Sequence, residues 1–255
     1  MKIVRTHGGL GNQLFQVLFA ECHGSHETPQ LYHDDRYPHK FQLSSALKRS
    51  YCCYKPSGLI RILLDWRIVK LFEKIGISRS HLAVLGCVIY DGYFQQPYLY
   101  EEFKAEKIAH IIEKLRSIFL DDRANESRAQ LVHLRLGDFY RGADERIEVA
   151  EKILNKLDSE VDLITTDDAL INNSRRLQAI IRDKCARHVN TSHMTAEQVL
   201  QLIAQYEGVN SNNSTLAFWG ALLGGADLKM TDPKLVAVYE RIRDAERRIS
   251  NNNSI

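Results

Sequence analysis

An arginine follows a short apolar run in the middle of the chain. The run Leu131–Leu134 predicts a buried strand, and Gly137 with Asp138 predicts a turn directly after it. Arg135 therefore lies near the carboxyl end of that strand, the edge where open α/β sheets bind ligands. Its planar fork of donors matches a phosphate group. Taken alone, the stretch is more typical of an Arg135–Asp138 pair that stabilises its own turn.

Polar groups follow two other predicted strands of the same half. Val161–Thr165 predicts a strand that leads into Asp167 and Asp168, whose carboxylates can accept hydrogen bonds from a base or a ribose. The run Asn213-Ser214-Thr215 precedes an apolar helix, where hydroxyls and backbone N–H groups can bind an anion. Each run could be a plain helix cap. Together with the arginine, they favour a nucleotide diphosphate at the carboxyl edge of one sheet.

The amino-terminal end has the form strand, glycine turn, helix. Lys2–Thr6 predicts a strand, His7–Gly11 predicts a flexible turn, and Asn12 can cap the helix that follows. This is the general form of an element that cradles phosphate. The dinucleotide spacing GxGxxG is not met, because its last glycine is missing. A tight turn without a ligand is the simpler interpretation of these residues alone.

Aromatic and amide side chains follow the strand predicted within Cys87–Phe94. Tyr93, Phe94 and Gln95 suit a sugar, because rings stack on C–H faces and amides bond to hydroxyls. They suit a plain corner between a strand and a helix equally well. Both interpretations stay open from the sequence.

The elements that must position these residues alternate between strand and helix. In the second half, helices are predicted over 145–157, 169–181 and 216–223. Two more helices are predicted, one after a capping box at Thr195 and one that begins at Pro233. Strands are predicted at 187–189, 208–211 and 228–230. In the first half, a strand is predicted at 30–33 and helices at 57–75 and 101–120. Such alternation implies an α/β fold with parallel sheets. The charged run Asp121–Arg128 is the predicted boundary between a domain of residues 1–122 and one of residues 123–255.

Length, charge and cysteine content exclude several classes of protein. The 255 residues suffice for one large or two small domains, and a net charge of +2 argues against a dedicated nucleic-acid-binding protein. The five cysteines are scattered without a CxxC pair, so neither a disulfide framework nor a zinc site is predicted. No Asp-x-Asp, signal-peptide h-region or membrane-spanning apolar run occurs. We therefore expect a protein of a reducing, cytoplasmic compartment that uses no metal.

One predicted helix has a second interpretation. Residues 57–75 combine apolar residues near helical spacing with the basic residues Arg61, Arg67, Lys70 and Lys74. A basic amphipathic helix can lie on a membrane, so peripheral contact with the inner face of a membrane is one expectation. A core-packed helix with solvated basic residues is the simpler account.

Five motifs resemble the bacterial-type α-1,2-fucosyltransferase family. Residues 8–16, GGLGNQLFQ, resemble its GGLGNQ(M/L)FQ opening, and residues 213–221, NSTLAFWGA, resemble its NSSFSWWGA motif. Residues 133–139, HLRLGDF, resemble its HxRRGDY motif, residues 164–168, ITTDD, are similar to its FSDD stretch, and residues 92–95 read GYFQ, as in the family. The motifs come in family order and cover the chain from end to end.

The resemblance implies a GT-B architecture, in which two Rossmann-like domains face a cleft. It implies an acceptor-side N-terminal domain and a C-terminal domain that binds GDP-fucose without a metal or another cofactor. The implied reaction is an inverting transfer of L-fucose from the β-linked donor to an α-linked product, usually at O2 of a galactose, on a glycan such as a surface polysaccharide or O-antigen. Arg135 matches the first motif arginine, which in the family contacts the donor diphosphate, whereas Leu136 stands in place of the second.

The motifs and strand ends together give three groups of expected site residues. The expected donor-binding residues are Gly11, Asn12, Gln13, Arg135, Asp167, Asp168, Asn213, Ser214 and Thr215. The expected catalytic residues are His133, Arg135 and Asp138, and the expected acceptor-side residues are Tyr93, Phe94 and Gln95. Candidates for a base that activates the acceptor hydroxyl are Asp138, Glu145 and His7; an oxocarbenium-like displacement without a dedicated base is the alternative.

Two other functions fit the sequence. A degenerate protein could bind the nucleotide-sugar without turnover, and Leu136 is the one residue that supports it. A transferase of the same architecture could use another GDP-sugar. Transfer assays distinguish the first from a fucosyltransferase, and a thermal-shift panel of nucleotide-sugars distinguishes the second.

Overall fold

The chain forms two compact units, Met1–Leu120 with Glu240–Ile255 and Asp121–Tyr239. The computed structural model describes residues 1–23, 27–34, 42–66, 69, 81–84, 86–120, 128–136, 142–157, 160–165 and 168–252. The first unit is discontinuous in sequence, whereas the predicted boundary at residue 122 placed every later residue in the second domain. Residues 121–127 of the predicted boundary run lie outside the described residues.

The first unit is built on a four-stranded sheet. Its strands are β1 (Lys2–Thr6), β2 (Gln30–His33), β3 (His81–Val84) and β4 (Cys87–Tyr90), in the order β2-β1-β4-β3, and only β3 runs antiparallel to its neighbour. Its helices are α1 (Leu10–Cys22), α2 (Ser45–Ser50), α3 (Gly58–Asp65) and α4 (Ala105–Phe119), with a 3-10 turn at Pro97–Tyr100. Every residue of β1 is buried, as expected for a central strand of a mainly parallel sheet.

The second unit contains a five-stranded sheet in which all strands are parallel. Its strands are β5 (Arg128–Leu134), β6 (Val161–Thr165), β7 (Cys185–His188), β8 (Tyr206–Ser211) and β9 (Asp227–Met230), in the order β7-β6-β5-β8-β9. Helices α5 (Ala143–Leu154), α6 (Asp168–Asn173), α7 (Arg175–Lys184), α8 (Ala196–Ile203) and α9 (Thr215–Gly224) alternate with the strands, and α10 (Pro233–Asn252) follows them. Counted from β5, this is the strand order of doubly wound nucleotide-binding sheets.

The predicted α/β class is confirmed, and most predicted elements occur. The strands predicted at 2–6 and 161–165 have those bounds, the capping box at Thr195 is present, and Pro233 begins α10. The single helix predicted over 169–181 is wrong, because Ser174 leaves the helical path and its hydroxyl caps α7 by accepting from the Leu177 N–H. The helix predicted to be capped by Asn12 begins three residues earlier, at Leu10, with Gly9 as its N-cap.

One long helix predicted in the first half is shorter in the structure, and another is described only in part. The helix predicted over 101–120 begins at Ala105. The helix predicted over 57–75 is described as α3 up to Asp65, and residues 67–68 and 70–75 lie outside the described residues. Within the described part of the chain, no helix is long and apolar enough to cross a membrane.

Candidate functional site

Each sheet has a switch point, where the connections from two neighbouring strands leave in opposite directions. Open α/β sheets bind ligands at this point, just beyond the carboxyl ends of the strands. In the second unit this point lies between β5 and β8, and in the first unit it lies between β1 and β4. Arg135 follows β5 and Asn213 follows β8, while Gly11 and Tyr93 follow β1 and β4. The fold therefore brings Arg135 and Asn213 to the switch point of the second unit, and Gly11 and Tyr93 to that of the first.

A side chain from the neighbouring strand end holds the backbone of Arg135. Asn212 Oδ1 accepts a hydrogen bond from the Arg135 N–H at 2.8 Å, and Asn212 Nδ2 donates to the Arg135 carbonyl at 2.6 Å. Asn212 is buried, and Arg135 is half-buried. Because one buried amide pairs with both polar backbone groups of a single residue, it fixes Arg135 at the switch point. Asn212 is not among the residues predicted from the sequence, although its place directly after β8 was a usable signal.

Helix α9 begins at the same switch point. Ser214 is its N-cap, and the Ser214 Oγ accepts from the Ala217 N–H at 3.2 Å. Thr215 is the first helical residue and is buried, while the half-buried Asn213 accepts from the Thr231 hydroxyl at 3.0 Å through its Oδ1. The helix dipole places positive partial charge at this end. The predicted arginine and the helix start therefore share one edge, which suits an anion.

Close packing fixes the position of α9. A Cβ on Gly220 would lie 2.6 Å from the Cβ of Ile203 on α8, so only glycine permits this approach of the two helices. Residues 217–223 of α9 are all buried. A helix that is apolar on every side and enclosed in this way presents its start rigidly.

His133 lies on β5 beneath the predicted site. Its ring is 2% exposed, and its carbonyl accepts from the Ser211 hydroxyl at 2.9 Å. Burial, and then the positive charge of Arg135, lower the pKa of His133 to about 4. Among the described residues, none hydrogen-bonds to the His133 Nδ1. The ring is therefore neutral at pH 7, and this enclosure favours packing over contact with a substrate.

Leu136 lies in the apolar core of the second unit. Its side chain is fully buried and clusters with Val132, Leu134, Ala150 and Leu154. Packing alone therefore accounts for an apolar residue at this position, where the resemblance implies a second arginine.

The remaining expected residues of this unit are only partly described. Asp138 and Asp167 lie outside the described residues, and for Asp168 only the backbone, at the start of α6, is described. Of the base candidates in the described part of the chain, Glu145 is exposed in the first turn of α5, whereas His7 in the first unit is fully buried.

The glycine turn of the first unit is held by amide side chains. Gly8 adopts a φ of +77°, which favours glycine. The Gln13 Nε2 donates to the carbonyls of Gly8 and Gln42, both at 2.9 Å, and its Oε1 accepts from the Ser44 N–H at 3.0 Å. Both amide hydrogens of Gln13 are thus used within the protein, so its role in this structure is to shape the turn. Gly11 is buried in the first turn of α1.

At the corner after β4, one aromatic side chain lies in the core and the other is half-buried. The Phe94 ring is buried and stacks on Phe19, with centroids 4.3 Å apart, so it belongs to the core. Tyr93 is half-buried and packs against the His7 ring at 4.9 Å. The Gln95 Nε2 donates to the Asn12 Oδ1 at 2.9 Å, which links the two strand ends of the switch point.

A buried ion cluster, missed by the sequence analysis, joins three strand ends of the first unit. Arg5 on β1 donates to Asp34, which follows β2, and to both oxygens of Asp91, which follows β4, at 3.0 and 3.1 Å. All three side chains are at most 5% exposed. The available signal was that each aspartate is the first residue after a strand. The described residues contain no group of three or more His, Cys, Asp or Glu residues that could hold a metal ion.

No protein-family model and no curated protein matches the chain. Among solved structures, it is similar to the NodZ alpha-1,6-fucosyltransferase co-crystallized with GDP, with 13% identity over 87% of this chain and 91% of that chain and a TM-score of 0.43. It is also similar to fucosyltransferase NodZ from Bradyrhizobium, with 12% identity over 87% of this chain and 92% of that chain and a TM-score of 0.42. The function is therefore argued from this chain's own residues.

Proposed function

We propose that this protein is an inverting glycosyltransferase that moves L-fucose from GDP-β-L-fucose to a galactoside hydroxyl. The expected product is α-linked at O2, on a glycan such as a surface polysaccharide or O-antigen. The observation that carries the proposal is the placement of Arg135 and the α9 start on one switch point, clamped together through Asn212. The five family-like motifs supply the identity of the sugar and the nucleotide.

The chemistry needs a stabilised leaving group. The acceptor oxygen attacks C1 of fucose from the face opposite the diphosphate, and the C1–O bond breaks with its electron pair remaining on GDP. The guanidinium of Arg135 and the positive end of α9 would offset the charge that develops on the diphosphate. Because the backbone of Arg135 and the start of α9 are already held in place, little backbone reorganisation is required. The acceptor proton leaves to a base or to water, and Asp138 and Glu145 stay the candidates.

The proposed reaction uses no divalent metal. Metal-dependent sugar transferases hold a hard cation with clustered carboxylates, commonly an Asp-x-Asp, and this chain has none. Arginine and oriented N–H groups can offset the same charge. Transfer in excess chelator should equal transfer without it at matched ionic strength. Activity that vanishes with chelator and returns with magnesium would contradict this part of the proposal.

The first unit would supply the acceptor side. Tyr93 and Gln95, which are half-buried at its switch point, are the proposed acceptor contacts. Phe94 would act indirectly, by holding the corner in shape from the core.

The test is fucosyl transfer from GDP-fucose to a glycan array by Arg135→Ala. Losing a fixed charged donor to the leaving group should lower the rate on the order of a hundredfold or more. Arg128→Ala is the matched control, because Arg128 is an arginine at the opposite end of the same strand, against Tyr206. Near-normal transfer by a folded Arg135→Ala protein would overturn the assignment. If the wild type binds GDP-fucose without turnover, the protein is the degenerate nucleotide-sugar-binding protein. If another GDP-sugar gives a larger thermal shift than GDP-fucose, that sugar is the donor instead.

A further inference from the structure

Helix α3 of the first unit presents three distinct faces. Leu64 is buried in a cluster with Ile3 and Ile89, and Ile60 and Leu63 pack against the same cluster, so these residues form the inner face. A residue advances about 100° around an α-helix, which places the other positions on two further stripes. Each of those stripes has its own chemistry.

The outer stripe is apolar and open to solvent. Leu59 is 51% exposed, Ile62 is 50% exposed and Trp66, directly after the helix, is 77% exposed. The spacing i, i+3, i+7 puts the three side chains on one side of the helix. Among the described residues, the only other large hydrophobic side chains with comparable exposure are Met1 and Tyr98. An apolar stripe of this kind marks an interaction surface.

The third stripe borders a basic cavity of about 450 Å³. Lys48, Lys55 and Arg61 line it, and Asp65 is the only acidic residue among the described residues of the lining. Asp65 is already engaged, since it accepts from the Tyr32 hydroxyl at 3.1 Å and lies 3.7 Å from the Arg61 Nε. The cavity therefore has an excess of positive charge next to the apolar stripe.

The surrounding sequence is unusually basic for this chain. Residues 48–74 contain seven Lys or Arg and two Asp or Glu, although the whole protein has a net charge of only +2. Positive charge is thus concentrated in the segment that carries the exposed apolar stripe. A second copy of the same surface would bring like charges together, which disfavours self-association through this face.

We propose that helix α3 binds the surface of an anionic lipid bilayer. Leu59, Ile62 and Trp66 enter the boundary between head groups and acyl chains, while Lys48, Lys55 and Arg61 lie at the level of the lipid phosphates. Apolar burial and attraction to anionic lipid together give such helices their affinity, and tryptophan favours this depth. The proposal is independent of the transfer reaction, because it rests on residues that the proposed transfer site does not use.

Tryptophan fluorescence tests the proposal directly. The chain has two tryptophans, and Trp219 is fully buried in the second unit, so Trp219→Phe leaves Trp66 as the one reporter. With vesicles of phosphatidylcholine and phosphatidylglycerol, the emission should shift to the blue and become protected from iodide. Vesicles of phosphatidylcholine alone should produce a smaller change, and raising the salt concentration should weaken binding.

Co-sedimentation of the full chain with the same vesicles separates the contribution of the apolar side chains from that of the basic ones. Trp66→Ser and Ile62→Ser should each weaken binding about tenfold, and Arg61→Ser several-fold. Tyr98→Ser is the matched control, because Tyr98 is 54% exposed in the same unit but belongs to the 3-10 turn Pro97–Tyr100 and not to α3. Absence of binding at low salt, or equal loss with Tyr98→Ser, would overturn the proposal. Concentration-dependent dimerisation that Trp66→Ser abolishes would assign the stripe to a second copy instead.

Discussion

The side-chain amide of Asn212 makes two hydrogen bonds to the backbone of Arg135, donating one and accepting the other. It imitates the peptide of a neighbouring strand, and so extends the pairing of β5 and β8 beyond the last residues that pair in the sheet, His133 and Ser211. The two strand ends that form the predicted site are therefore joined by a side chain rather than by the sheet itself.

Replacing Asn212 by aspartate should impair the site. A carboxylate accepts from the Arg135 N–H but cannot donate to its carbonyl, so the second hydrogen bond of the pair is lost. We expect a loss of about 1–3 kcal/mol in the free energy of unfolding and weaker binding of GDP-fucose. Isothermal titration and chemical denaturation measure these effects. Asn190→Asp is the control, because the Asn190 Oδ1 accepts from the Ser192 N–H at 2.9 Å and a carboxylate can keep that bond.

Introducing the second motif arginine by Leu136→Arg should damage the protein rather than enhance it. The side chain is fully buried among apolar residues, and an unpaired buried charge typically costs about 3–5 kcal/mol. The variant should be insoluble or should unfold at a markedly lower urea concentration, whereas Leu136→Met should lose less than about 1.5 kcal/mol. A stable Leu136→Arg protein with increased transfer would show instead that an arginine can reach the site from this position.

Acid should destabilise the second unit through His133. The pKa of His133 is about 4 in the folded chain and about 6.5 when unfolded, so between these pH values the unfolded state binds more protons. The free energy of unfolding should therefore fall as the pH drops from about 6.5 to about 4, by roughly 3 kcal/mol in total from this residue.

Urea denaturation across this pH range measures how steeply the free energy of unfolding changes with pH. The variant His133→Gln should show a smaller slope than the wild type. Burial also lowers the pKa values of His23 and His81, which add dependence in the same direction. The informative quantity is thus the difference in slope between wild type and variant. An unchanged slope in His133→Gln would assign the acid sensitivity to those other histidines.

Removing Arg5 should be among the most destabilising changes in the first unit. Arg5→Met leaves Asp34 and Asp91 buried without their cation, which typically costs about 3–5 kcal/mol. The triple change Arg5→Met, Asp34→Leu and Asp91→Leu should recover most of that loss, since apolar residues can replace a buried ion cluster. The exposed Arg61→Met should cost less than about 1 kcal/mol, since surface ion pairs contribute little. Equal thermal midpoints for Arg5→Met and Arg61→Met would contradict the account.

Local patterns explain which parts of the fold could be predicted. Lys2–Thr6 and Val161–Thr165 are apolar runs bounded by turn residues, and Thr195 has its partner Gln198 three residues away, so the signals are contained in short windows. The Gln13 amide, in contrast, is occupied by Gln42 and Ser44, about thirty residues distant. Its role depends on where a loop returns in space, which periodicity does not report.

The same distinction applies to the site. Arg135 and the run 213–215 were predicted to share a sheet edge because strand alternation fixes which ends are neighbours, and the structure places them there. Whether a side chain after a strand faces a ligand, the core or another backbone was not predictable. Leu136 faces the core, Phe94 stacks on Phe19, and Asn212 binds the backbone of Arg135. Each outcome follows from packing that forms only when the strands meet.

Helix α10 gives the two units an unusual order of completion during synthesis. Its residues from Glu240 onward belong to the first unit, where the Arg116 Nη2 lies 2.9 Å from the Glu246 carboxylate and the Arg241 Nη2 donates to the Glu101 carbonyl at 3.0 Å. Every residue of the second unit leaves the ribosome before this segment does. The first unit therefore gains this helical segment only after the whole of the second unit has been synthesised.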